Sequence, residues 1–134
     1  MTADFLLYGA TGFVGGLAVE GALERGLRPL VAARRPSALE ARADEWGLER
    51  RVFELDESEP LEAALEKVPL VLHAAGPFLP TWRPVVEACL RTGTHYLDLT
   101  GEIPVYEGIA GKDEAARSAG VMLMPGVGFD VVPT

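Results

Sequence analysis

Short apolar runs alternate along the chain with segments whose apolar positions recur at three- and four-residue spacing, and turn residues separate the two kinds. That alternation predicts strand, helix, strand, helix from end to end, with a parallel sheet. The first strand is expected over Asp4–Tyr8 and ends at Gly9; the helix after it places Val14, Leu17, Ala18 and Gly21 on one stripe, the expected buried face. Leu30–Ala33 reads as the second strand, closed by Arg34-Arg35-Pro36, and Ser37-Ala38-Leu39-Glu40 has capping-box spacing ahead of a helix through about Trp46. A third strand is expected over Arg51–Leu55. Asp56, Ser58 and Pro60 start the helix that follows, with Leu61, Ala64, Leu65 and Val68 turned inward.

The fourth run, Leu70–Ala75, is almost wholly apolar, as suits a central strand covered on both faces. Gly76-Pro77 ends it, and Trp82, Val85, Val86 and Cys89 form the inner face of a helix that stops near Gly93. Thr94–Leu99 is the fifth strand. A single helix over Pro104–Ala119 is expected next, weakened by Gly108 and Gly111, and Val121–Met124 is the sixth strand. Six strands and five intervening helices fit one doubly wound α/β fold: a three-layer αβα arrangement with strand order 3-2-1-4-5-6 and right-handed crossovers.

Composition narrows the function. The chain has 134 residues, 49% of them hydrophobic and 24% charged, which is too apolar for disorder, yet no apolar run is long enough to cross a bilayer. One globular domain is expected, with no membrane partner. The net charge of −8 argues against a nucleic-acid partner, so any bound phosphate must be held locally. One cysteine, Cys89, and no signal-like leader point to the cytoplasm. Asn and Gln are absent and ten of the twelve basic residues are Arg, a composition expected of a thermophile.

Gly9-Ala10-Thr11-Gly12-Phe13-Val14-Gly15 lies where the first strand turns into the first helix. Free amides and the positive end of the helix dipole meet an anion at such a junction, which makes this a candidate pyrophosphate cradle of a Rossmann fold. Gly9 permits the tight turn, Gly12 lets the backbone approach phosphate, Gly15 lets the helix pack on the sheet, and Thr11 adds a hydroxyl. The competing reading is a tight structural turn without ligand. At the tip of the second strand an acidic residue would receive the ribose 2′-hydroxyl of NAD. Arg34 and Arg35 stand there instead, twenty-five and twenty-six residues after Gly9, and guanidinium groups suit a 2′-phosphate. NADP is therefore expected over NAD, with a solvated arginine pair as the plain alternative.

Asp56, after the third strand, is a candidate acceptor for the adenine amino group or a helix cap. Ala74, Ala75, Gly76 and Pro77 would leave room for the nicotinamide half, or simply end a strand. His73 reads as a hydrogen-bonded core residue more than as a catalyst, and His95 has no partner at readable spacing. Asp98, Glu102 and Asp130 lie at the C-terminal edge of the strands, where ligands bind in open sheets, and each is equally a cap or turn former. No metal-ligand spacing, nucleophile elbow or Walker motif occurs.

Together, Tyr8–Gly15, Ala32–Arg35, Ala75-Gly76-Pro77-Phe78, Tyr96-Leu97-Asp98-Leu99-Thr100-Gly101-Glu102 and Pro125-Gly126-Val127-Gly128-Phe129-Asp130 resemble the saccharopine dehydrogenase-like family over essentially the whole chain. The last two strings separate it from short-chain dehydrogenases and NmrA-like sensors. The resemblance implies an amino-terminal NADP-binding domain. It assigns the pyrophosphate to Gly9, Thr11, Gly12, Phe13 and Val14, the 2′-phosphate to Arg34 and Arg35, and the nicotinamide side to Ala75, Gly76 and Pro77. It also implies hydride transfer to an imine or, in the trans-acting enoyl reductase branch, an activated alkene. Relatives often carry Asn where this chain has His73. They continue past Thr134 into a mainly β domain that completes the pocket for a small-molecule substrate, so a fragment or shortened reading frame is expected. The apolar surface so uncovered would favour a homodimer. A non-catalytic NADP sensor and an α/β module with an empty crevice are the other functional readings.

Overall fold

The computed structural model describes residues 3–128. Six parallel strands, β1 (Leu6–Tyr8), β2 (Leu30–Ala33), β3 (Arg50–Val52), β4 (Leu70–His73), β5 (His95–Asp98) and β6 (Leu123–Met124), form one sheet in the order β3-β2-β1-β4-β5-β6. This is the expected doubly wound order. Leu6 of β1 stands between Leu30 of β2 and Val71 of β4, so the chain leaves β1 in one direction and returns beside it from the other. The strand tips diverge at that switch point and leave a crevice.

Side-chain alternation along the central strands builds a core on each face. Leu6 and Tyr8 of β1 join Leu30 and Ala32 of β2 on the side of α3 (Ser58–Leu65), α4 (Trp82–Thr92) and α5 (Ile103–Ala110). Leu7, Val31 and Ala33 pack on the other side, with Val19 of α1 (Phe13–Glu24) and Leu39 and Ala43 of α2 (Pro36–Trp46). The inner faces expected for α3 and α4 are buried as read, and Gly93 ends α4 in the left-handed conformation that favours glycine.

α1 departs from its expected stripe. Val14 and Leu17 are each 53% exposed and Phe13 is 82% exposed, while Gly15, Gly16, Val19 and Ala22 form the buried face. The cause is close approach: a Cβ on Gly15 would lie 2.0 Å from the carbonyl oxygen of Gly9. The helix meets the sheet through its smallest residues, which rotates the bulky ones outward. α2 begins one residue before the expected capping box, with Arg35 at the N-cap and Pro36 in the first turn, so Ser37 lies inside the helix and caps nothing. α3 begins at Ser58, with Glu57 rather than Asp56 at its N-cap.

The expected fifth helix is two, α5 and α6 (Asp113–Ala119), broken at Gly111-Lys112. Gly108 remains inside α5 for a packing reason: a Cβ there would sit 2.3 Å from the indole of Trp82, which is buried. Gly108→Ala is expected to lower the melting temperature by several degrees. Overpacking costs about 1–3 kcal/mol and outweighs the roughly 1 kcal/mol gained in helix propensity. Thermal unfolding checks this, and a rise in melting temperature would show that Trp82 yields.

Candidate dinucleotide-binding site

The glycine turn between β1 and α1 is held from behind. The amides of Gly9 and Ala10 donate to the carbonyl of Ala32 at 2.9 and 3.3 Å, and Gly12 donates to Gly9 at 3.1 Å. Gly9 has φ +98°, and a Cβ on it would come within 2.9 Å of the Ala74 and Ala75 backbone, so both its conformation and its surroundings require glycine. Gly12, the N-cap of α1, is different: a Cβ there would be 3.5 Å from its nearest neighbour, the Gly9 oxygen. The amides of Phe13, Val14 and Gly15 have no backbone acceptor among the described residues. They are the orphan donors of the helix start, available to an anion.

A cleft of about 580 Å³ runs over this turn along the strand tips. Ala33, Arg34, Arg35, Glu54 and Leu55 line one end, Gly9, Thr11 and Gly12 the middle, and Ala75, Gly76, Pro77 and Thr81 the other end. The structure thus gathers nine of the residues expected from the sequence: Gly9, Thr11, Gly12, Arg34, Arg35, Ala74, Ala75, Gly76 and Pro77. Ala10 is fully buried behind the turn, and Phe13 and Val14 turn their side chains to solvent. Asp56 is exposed and outside the lining, which takes Glu54 and Leu55 in its place. Arg34 and Arg35 are exposed and pair with no carboxylate among the described residues, whereas Arg42, Arg50, Arg51, Arg83, Arg91 and Arg117 all do.

Sequence reading assigned no role to Tyr8, Ala33, Glu54, Leu55, Pro80 and Thr81, which also line the cleft. Tyr8 had a signal, being the last strand residue before the first glycine. Its hydroxyl donates to the Phe53 carbonyl at 2.6 Å, and burial, helped by Glu54, pushes the phenol up to about 12, so it stays protonated as a brace.

The acidic and imidazole groups near the strand ends divide by role. His73 is fully buried, and desolvation lowers it to about 3, so it is neutral at ordinary pH. Asp98, also fully buried, accepts from the Tyr96 hydroxyl (2.5 Å) and from the amides of Thr100 (3.0 Å) and Gly126 (2.8 Å). That makes it a turn former. His95 accepts from the Met122 amide at 3.0 Å and stitches β5 to the chain before β6. Glu102 is the N-cap residue of α5, and one of its oxygens accepts from the Phe78 amide at 3.3 Å. Asp130 lies outside the described residues. Among the described residues no group of three acidic, His or Cys side chains is placed to hold a metal, and no helix is long and apolar enough to cross a membrane.

Residues 5–124 match the family described as the saccharopine dehydrogenase NADP binding domain. This chain belongs to that family. Its membership rests on that match over most of the chain, and the expected resemblance holds. The trans-acting enoyl reductase of Mycobacterium leprae is 36% identical over 143 residues, covering 98% of this chain and 33% of the relative. That of Mycobacterium ulcerans is 33% identical, with the same coverage. The chain therefore spans about a third of the length of these curated relatives. Among solved structures, apo saccharopine dehydrogenase (L-Glu forming) from Saccharomyces cerevisiae superposes with a TM-score of 0.81 at 22% identity, covering 96% of this chain and 28% of that one. Triphenylmethane reductase of Citrobacter sp., solved with NADP(H), gives 0.71 at 22% identity, covering 91% and 48%. These two share the fold of this saccharopine dehydrogenase-family domain.

Proposed function

We propose that this chain is the cofactor-holding domain of an NADP-dependent oxidoreductase that delivers hydride to a C=N or C=C bond, the substrate pocket being completed by parts of the protein beyond this domain. The observation that carries the reading is the pair Arg34 and Arg35, without a carboxylate partner among the described residues, at one end of a cleft whose middle is a glycine turn with orphan amides. The cradle fits a dinucleotide because bulk is missing where phosphates would lie. The amides of Phe13, Val14 and Gly15 would receive the pyrophosphate, Thr11 would add its hydroxyl, and the two guanidinium groups would clamp the 2′-phosphate. Glu54 and Leu55 stand where the adenine edge would come, and Ala75, Gly76 and Pro77 would flank the nicotinamide. Bound there, the cofactor supplies the hydride, and the protein's part is to hold and orient it.

Titration of the chain with NADPH and NADH, followed by Trp46 and Trp82 fluorescence, tests the proposal; absence of binding by either would end it. Gly12→Ala sharpens the test. The backbone there, φ −75° and ψ 166°, suits alanine, and the added Cβ makes only ordinary contact, so the melting temperature should not change. NADPH affinity should nevertheless fall about tenfold or more, because the methyl group enters the phosphate's space. Unchanged affinity would place the phosphates elsewhere.

A further inference from the structure

We propose that His73 is a positioning residue for the cofactor: through Thr81 and the Ala75 amide it sets the wall of the cleft that takes the nicotinamide half. This rests on the dinucleotide reading above and adds to it a residue that never touches the ligand.

The wall is the connection between β4 and α4, residues 74–81, and it has little ladder of its own. Its backbone bonds lie at the two ends, from Ala74 to the Tyr8 carbonyl at 2.8 Å and from Thr81 and Trp82 to the Phe78 carbonyl at 3.1 and 2.8 Å, and the Phe78 amide is held by Glu102. Between them, Ala75, Gly76 and Pro77 line the cleft. Side chains hold what backbone pairing does not. His73, the last residue of β4, reaches forward to two points of this connection, and through Thr81 to a third. Its Nδ1 faces the Ala75 amide at 3.4 Å, its Nε2 lies 2.9 Å from Thr81 Oγ1, and Thr81 Oγ1 lies 3.2 Å from the Pro77 carbonyl.

The partners fix the direction of every bond. The Ala75 amide can only donate, so Nδ1 accepts and Nε2 carries the proton of the neutral ring. Nε2–H then donates to Thr81, and the Thr81 hydroxyl donates to Pro77. The ring cannot swing away, because Phe78 packs edge-on at 4.8 Å while Tyr8 and Tyr96 stand at 6.4 and 6.3 Å. An apolar residue would fill this core position without desolvating a polar ring, so the cost of burying imidazole is matched by bonds only the loop receives. Displacement of a cofactor wall by even about 1 Å is enough to spoil its fit.

The test measures binding of NADPH and of 2′,5′-ADP, which lacks the nicotinamide half, by calorimetry on the 134-residue chain. His73→Leu and Thr81→Val are each expected to weaken NADPH about tenfold and to leave 2′,5′-ADP within about twofold. The double variant should lose no more than either single one, because both break one chain of bonds. Thr81→Ser, which keeps the hydroxyl, should restore NADPH affinity. In wild-type protein the nitrogen resonances of His73 should show the Nε2–H tautomer and no titration between pH 5 and 8. Should His73→Leu fail to fold, the Thr81 pair and the resonances carry the test alone. Equal weakening of both ligands, additive losses in the double variant, or an Nδ1–H tautomer would overturn the inference while leaving the dinucleotide reading intact. Failure of the wild-type chain to bind either ligand would overturn both.

Discussion

Arg34→Ala is expected to weaken NADPH binding about 10- to 100-fold and to change NADH binding by less than about threefold. The asymmetry follows from what the side chain faces. Arg34 directly continues β2, is exposed at the cleft and has no carboxylate partner among the described residues, so its charge is free for a ligand. A 2′-phosphate carries close to two negative charges, and hydrogen bonds to charged groups contribute roughly 1.5–3 kcal/mol each. The chain as a whole, at −8, repels that phosphate, which leaves the local pair to offset the general field. NADH carries only a neutral 2′-hydroxyl at that position and loses little. Parallel titrations at fixed salt decide the matter; an equal loss for both nucleotides would remove Arg34 from the 2′-phosphate site.

Gly15→Ala is expected to destabilise the fold by about 3 kcal/mol or more, a large share of the roughly 5–15 kcal/mol that keeps a domain folded. Its Cβ would stand 2.0 Å from the Gly9 oxygen and 2.8 Å from the Gly9 carbonyl carbon. Both are backbone atoms, and Gly9 is itself fixed by its bond to Ala32 and by contact with Ala74 and Ala75. Relief would require lifting the start of α1 off the sheet, which would also pull the orphan amides away from the cleft. Gly12→Ala, three residues earlier on the same turn, separates the two effects: it should harm binding and spare stability. Denaturant unfolding of both variants checks this, and a Gly15→Ala chain as stable as wild type would show that the turn is loose.

Much of this arrangement was legible in the sequence. The Leu30–Ala33 strand has proline directly after its arginine tip and keeps its expected bounds, and the strand order follows from βα alternation and the handedness of crossovers. The glycine spacing located the middle of the cleft, and the strand tips located its ends. What could not be read depends on contacts between distant segments. Periodicity assigns bulky residues to the buried face, so it placed Val14 and Leu17 inward, whereas the close approach of Gly15 to Gly9 decides the rotation of α1. Gly108 looked like a defect in a helix and is space left for Trp82. Asp98 looked able to face a substrate, but its three donors come partly from Gly126, twenty-eight residues on. Asp56 and Glu54 differ by two positions, and only the path of the chain after β3 settles which one borders the cleft.

Tyr8 spans from the central strand past β2 to the carbonyl of Phe53, tying the glycine turn to the segment that carries Glu54 and Leu55. Half of the crevice floor is thereby cross-braced before any guest arrives. A nucleotide settling there would find its bed already made, and little of its affinity would be consumed in stiffening the host.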